Sequence, residues 1–135
     1  MYSSILSLQS LRPTLFISCL LLSASVWADF DAGVTAYKAG DYEIALGEWL
    51  RSAERGNADA QYNLGILYYF GEVIPKDNKE AFKWYSKSAE QGNANAQSSL
   101  GVMYAQGYGV PQDNVEADRW YTKAAEQGLA EGQWR

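Results

Sequence analysis

The sequence contains no histidine and only one cysteine, Cys19, which lies near the amino terminus. Beyond residue 28 there is therefore no disulfide framework, no thiolate nucleophile and no zinc site built from cysteine and histidine. Basic residues are also scarce, because 11 lysines and arginines face 16 acidic residues, giving a net charge of −5. An acidic chain without a basic stripe argues against nucleic acid or anionic lipid as a partner.

No apolar run is long enough to span a membrane, and the one that begins at about Leu15 and ends near Leu22 belongs to a leader. Arg12 supplies a positive charge before it, and Val26-Trp27-Ala28 supplies small residues three and one positions before a cleavage point. Residues 1–28 are therefore predicted to be a secretory signal peptide, with a retained membrane anchor as the alternative. Cleavage before Asp29 would leave an exported, periplasmic or secreted domain with no membrane insertion.

The remainder of the chain repeats itself. Ala58, Ala94 and Ala130 lie 36 residues apart, and segments 58–93 and 94–129 share 19 identical positions out of 36. Self-similarity at a period of about 20 to 50 residues indicates stacked structural repeats. The chain is therefore interpreted as an array of similar units.

Each unit has the pattern of two helices. Apolar residues in 58–70 recur on one helical face, Gly71 is placed to end the first helix, and Asp77 with Glu80 has the spacing of a capping box that opens the second. The second copy repeats these features with Gly107, Asp113 and Glu116. The aromatic pairs of the second helices, Trp84 with Tyr85 and Trp120 with Tyr121, are predicted to lie in the core. The fold class is all-α: an α-solenoid of antiparallel helix pairs.

Incomplete copies flank the two complete ones. Residues 29–57 form a degenerate first repeat in which Trp49 takes the place of Tyr85 and a shorter connection, residues 39–42, joins the helices. Residues 130–135 begin a further copy. A chain that is a fragment of a longer array, without activity of its own, is therefore one of the alternatives.

The repeat motif resembles that of Sel1-like repeats, relatives of tetratricopeptide repeats. Ala94, Ala96, Gln97, Leu100, Gly101 and Tyr104 form its first part, Gly107, Gly109, Val110, Pro111 and Asp113 its second, and Ala117, Trp120, Tyr121, Lys123, Ala124, Ala125, Glu126, Gln127 and Gly128 its third. The copy at 58–93 departs from it at Val73, where a glycine is usual. The resemblance implies an α-solenoid that serves as an adaptor or scaffold for protein assemblies.

The sequence offers little for catalysis. Glu54, Glu90 and Glu126 recur once per repeat, and equivalent residues of successive hairpins lie on the order of 16–20 Å apart, whereas glycosidase carboxyl pairs need roughly 5–9.5 Å. The serines and threonine of the repeats lack a conventional activating partner. Gly107-Tyr108-Gly109 has neither the lysine nor the preceding strand of a phosphate loop. We therefore expect no enzyme, no cofactor and no metal.

Positions that differ between the copies are the candidates for binding. Tyr62, Asn63, Ile66 and Tyr69 lie on a first helix, and in such superhelices the first helices line the concave surface that binds extended partners. Trp134 would continue that surface in the next copy. For Tyr69 and its neighbour Phe70, packing over the loop of their own repeat is an equally open interpretation.

Two functions of different class follow. The first is an exported adaptor that binds a protein or peptide on its concave face. The second is a hydrolase acting on cell-wall material or β-lactams, as described for cysteine-rich relatives of this repeat family. Those relatives depend on regularly spaced cysteines, which are missing after residue 28.

Hydrolysis of a chromogenic β-lactam separates these two functions. We expect the purified protein to give no turnover above the buffer rate, because the repeats contain no activated nucleophile. Clear turnover that scales with protein concentration would contradict the non-catalytic interpretation.

Overall fold

A computed structural model describes residues 25–128, which form six α-helices and no strand. The helices are α1 (25–39), α2 (Tyr42–Glu54), α3 (Ala58–Phe70), α4 (Asn78–Glu90), α5 (Ala94–Gln106) and α6 (Asn114–Glu126). They pair as three hairpins, α1 with α2, α3 with α4 and α5 with α6, and α2 packs on α3 and α4 on α5 between the pairs. The predicted all-α solenoid of helix pairs is confirmed.

Side-chain caps and glycines set the helix ends. The Asn57 and Asn93 side chains accept hydrogen bonds from the third backbone N–H of α3 and α5, each at 2.9 Å. These bonds satisfy one of the free donors at a helix start. Gly71 and Gly107 end the same helices in the left-handed conformation (φ 70° and 69°), which glycine adopts at low cost. The predicted ends of the first helices are therefore correct.

The capping box is only half formed. The Asp77 carboxylate accepts hydrogen bonds from the N–H groups of Lys79 and Glu80, as predicted. The return bond from Glu80 to the Asp77 N–H is absent, because that N–H already donates to the Tyr68 carbonyl at 2.9 Å. Glu80 instead pairs with Lys83 one turn along α4. The repeat at Asp113 has the same arrangement: its N–H donates to the Tyr104 carbonyl, and Glu116 pairs with Arg119.

Each hairpin is closed by an aromatic ring of its second helix lying on a glycine of its first. The pairs are Trp49 on Gly33, Tyr85 on Gly65 and Tyr121 on Gly101. A Cβ atom added to any of these glycines would lie 2.4–2.5 Å from a ring atom. The glycine that recurs in each first helix therefore leaves room for an aromatic ring of the second helix.

Two apolar clusters fill the interior. One contains Trp49 and Trp84 with Leu64 between them, and the other contains Tyr85 with Leu100 and Met103. Trp84 and Tyr85 are buried, as predicted for the aromatic pair of α4.

The matching pair of α6 is less buried than predicted. Trp120 is half-buried and Tyr121 is 38% exposed, against 3% for Tyr85. The prediction was wrong for Tyr121, because α5 covers Tyr85, whereas no helix among residues 25–128 packs on the far side of α6.

The predicted cleavage junction between Ala28 and Asp29 lies inside α1, where the Val26 carbonyl accepts a hydrogen bond from the Ser52 hydroxyl at 2.9 Å. The part of the predicted signal peptide before residue 25 lies outside the described residues. So do Trp134 and the partial copy at 130–135. None of the helices formed by residues 25–128 has the length and hydropathy needed to cross a bilayer.

Alanine substitution at two helical glycines tests the ring contact. Gly65→Ala should lower the free energy of unfolding by about 1–3 kcal/mol, as overpacking does, because the new methyl group meets the Tyr85 ring. Gly47→Ala is the matched control, since a Cβ there meets nothing within 4 Å. It should stabilise by up to about 1 kcal/mol through helix propensity. Chemical denaturation measures both, and equal effects would contradict the ring contact.

Candidate partner-binding groove

Two neighbouring hollows lie between the first helices of successive hairpins. The α1–α3 hollow has a volume of about 260 Å³ and the α3–α5 hollow about 200 Å³. Ile66 lines both, so we treat the two hollows as one groove. Val34, Tyr37, Lys38, Trp49, Asn63 and Leu67 complete the first hollow, and Tyr62, Tyr69, Phe70, Tyr85, Ser99 and Val102 complete the second.

The four predicted binding residues that the structure describes all line this groove. Tyr62, Ile66 and Tyr69 lie in the α3–α5 hollow, and Asn63 and Ile66 lie in the α1–α3 hollow. They come together because α3 is the first helix of the middle hairpin and has another first helix on each side. Trp134, the fifth predicted residue, lies outside the described part of the chain.

Sequence reasoning missed the contribution of the second helices to the groove. Tyr85 was predicted to lie in the core and Trp49 to take its place in the first repeat, yet each also lines one of the hollows. Their rings reach the groove because Gly33 and Gly65 leave no side chain in the way. The glycine that recurs in the first helices was the available signal that a side chain of the second helix packs there. It does not indicate which ring does so.

Tyr69 and Phe70 differ in their surroundings. The Tyr69 ring packs against Tyr85 (centroids 6.4 Å apart) and against Tyr108 in the loop of the next hairpin (6.2 Å), with the Lys76 ammonium 5.4 Å from its centroid. The Tyr69 ring therefore covers loops of both hairpins and also lines the α3–α5 hollow. Phe70 is 60% exposed and contacts Tyr69.

Burial changes the acidity of the groove phenols. It is the largest cause that raises the pKa of Tyr85 well above its usual value near 10, and the nearby Tyr62 phenol raises it further. Burial likewise raises the pKa of Tyr62. A contact with the Ser99 hydroxyl acts in the opposite direction on both. The two phenols are therefore neutral hydrogen-bonding groups at physiological pH.

Buried glutamines fix the spacing of the hairpins, and with it the groove. Gln61 donates to the Ala53 carbonyl of the preceding hairpin at 3.0 Å and accepts from Gln91 at the end of its own hairpin at 2.7 Å. Gln97 repeats both bonds with Ala89 and Gln127. Gln97 and Gln127 belong to the repeat motif, and their role was not predicted from the sequence. Gln61 and Gln91 lie 36 residues before them, and this recurrence was the signal for a shared structural role.

The first hairpin replaces the glutamine pair with an ion pair. Asp29 and Arg55 occupy the places of Gln61 and Gln91, and their side chains form a salt bridge. This ion pair joins the two ends of one hairpin, as the Gln61–Gln91 hydrogen bond does in the next.

The groove is chemically suited to binding. Lys38 is the only ionisable residue other than tyrosine among those that line it, and no carboxylate does so. The Ser99 hydroxyl donates to the Asn95 carbonyl at 3.0 Å. Within residues 25–128 no group of three or more cysteine, aspartate and glutamate side chains could hold a metal ion. The groove therefore offers aromatic and aliphatic surface, phenol groups and one ammonium group.

Comparison with known proteins places these features in a family. Residues 58–93 and 94–129, together more than half of the chain, each match the Sel1 repeat model. A protective antigen of uropathogenic Escherichia coli strains, described as displaying an SLR fold, superposes with a TM-score of 0.73 at 37% identity, over 78% of this chain and 24% of the antigen. A Sel1 repeat protein from Oxalobacter formigenes gives 0.73 at 38% identity, over 79% of this chain and 32% of that one.

A curated relative matches over a shorter stretch. An F-box protein of Arabidopsis thaliana is 38% identical over 66 residues, which is 49% of this chain and 18% of the F-box protein. This chain thus spans less than a third of the length of each of these three proteins.

The raised pKa of Tyr85 predicts a loss of stability in alkali. Below the unfolded-state pKa of about 10 the neutral phenol is present in both states, so its stabilising burial is intact. As the pH rises above about 10 the unfolded chain ionises first, and the folded state loses stability. Tyr85→Phe should therefore make the loss between pH 10 and 11.5 shallower, measured by denaturant unfolding at each pH. A slope equal to that of the wild type would contradict the assignment.

Proposed function

The chain belongs to the Sel1 repeat family, whose members often mediate protein–protein interactions, and from that premise we propose that it is a non-catalytic adaptor. It binds a segment of a protein or peptide along the groove formed by the α1–α3 and α3–α5 hollows. The observation that carries this proposal is that Ile66 lines both hollows, which places them side by side along the first helices.

The dimensions of the groove favour a polypeptide over a small molecule. Each hollow alone is smaller than the roughly 300–1,000 Å³ of typical small-molecule sites. Together they extend across three helices, and an occupant of both must be elongated. Tyrosine and tryptophan are enriched in protein interfaces, and Tyr37, Trp49, Tyr62, Tyr69 and Tyr85 line this groove.

Export is the second part of the proposal, and the leader at 1–28 supports it. The predicted cleavage junction lies inside α1, so cleavage there would have to precede the folding of the first hairpin. It would also remove Val26, whose carbonyl accepts the Ser52 hydroxyl, and retain Asp29, which pairs with Arg55. The mature hairpin would therefore keep its ion pair.

A charge placed where the hollows meet tests the binding function. Peptides selected from a phage-displayed random library on the full chain should lose at least about tenfold in affinity for Ile66→Asp, since a buried unpaired carboxylate costs more than 1.4 kcal/mol. Val115→Asp is the matched control, because Val115 is 72% exposed on α6 and lines neither hollow. It should bind as the wild type does.

Circular dichroism and thermal unfolding establish that both variants are folded before fluorescence anisotropy measures their affinities. Equal affinities for Ile66→Asp and the wild type would exclude the groove as the binding surface.

A further inference from the structure

Resting on the proposed function, we infer that the bound segment carries an aspartate or glutamate side chain next to an apolar side chain, and that the α1–α3 hollow binds this pair. The apolar side chain contacts Val34, Ile66 and Leu67, and the carboxylate lies at Lys38. The partner is thus an internal segment of a protein with acidic residues flanking apolar ones.

The charges around the groove differ from those of the chain as a whole. The protein has a net charge of −5, yet no acidic residue lines either hollow. Lys38 lines the first hollow, and Lys76 lies against Tyr69, which lines the second. The two acids of α1, Asp29 and Asp31, lie toward its amino-terminal end, and Asp41 begins the next helix three residues after Lys38. None of them lines the hollow, so we place the carboxylate of the partner at Lys38.

Lys38 is free to pair with a partner. Most other basic residues of the described chain have one already: Arg51, Arg55, Lys83 and Arg119 form salt bridges, and Lys87 and Lys123 lie over the rings of Trp84 and Trp120. Among residues 25–128 no carboxylate or ring pairs with Lys38. Its ammonium group is thus available in a hollow that no other charged residue lines.

The net charge of the protein contributes to selectivity. An acidic segment is repelled by most of this surface, so it binds well only where its carboxylate meets Lys38. Repulsion of incorrect registers is a common source of specificity. We assign the carboxylate to a side chain within the segment, which continues past Ile66 into the α3–α5 hollow.

The phage-selected peptides test this inference. They are fused to the coat protein at their carboxyl ends, so any carboxylate they offer is a side chain. We expect enrichment of aspartate or glutamate beside an apolar residue. Lys38→Met should bind these peptides about two- to fivefold more weakly at low salt, as expected for an exposed ion pair. The difference should disappear in 1 M salt, where screening acts over about 3 Å.

Lys79→Met is the matched control. Lys79 is exposed on α4, has no ion-pair partner among the described residues and lines neither hollow. It should bind the selected peptides as the wild type does. Two outcomes would overturn the inference: selected peptides that are neutral or basic, and equal binding by Lys38→Met and the wild type. In either case, loss of binding by Ile66→Asp would still support the groove. Failure to select any peptide that depends on Ile66 would overturn both proposals.

Discussion

The contact between an aromatic ring of the second helix and a glycine of the first is the constraint on which the rest of the structure depends. It occurs in all three described hairpins, as Trp49 on Gly33, Tyr85 on Gly65 and Tyr121 on Gly101. Because the ring lies directly on the backbone, it sets the distance between the paired helices. The same contact brings Trp49 and Tyr85 to the opposite side of the first helices, where they line the groove. One interaction therefore builds both the core and the binding surface.

Contacts between hairpins depend on polar groups that take part in two bonds at once. Gln61 joins the Ala53 carbonyl behind it to Gln91 in its own hairpin, and the equivalent set follows 36 residues later. In the first hairpin Asp29 and Arg55 take the places of Gln61 and Gln91 and form an ion pair. Different residues can therefore make the equivalent contact in different hairpins.

The sequence predicts local structure well and side-chain environment less well. Gly71 and Asp77 lie where the helix ends require them, because capping depends on nearby backbone groups alone. The return bond of Glu80 was not predictable, since it depends on whether the Asp77 N–H already reaches the Tyr68 carbonyl. Burial of Tyr121 was overestimated, because it depends on a helix packed on the far side of α6. The shared face of Tyr62, Ile66 and Tyr69 follows from helical periodicity, whereas Lys38 joins the groove only through the packing of α1 on α3.

The differences between repeats explain how such a regular scaffold can bind in one register. The hairpins present Tyr37, Tyr69 and Ala105 at one position of their first helices, and Lys38, Phe70 and Gln106 at the next. The glycines and rings beneath them repeat, so the backbone supports a similar hollow at each step. A partner segment shifted by one hairpin would therefore meet a hollow of the same shape lined by different side chains. The phenyl ring of Phe70 would stand where the ammonium group of Lys38 had been. In the proposed binding mode the hairpins share one shape, and the unrepeated side chains set the position of the segment.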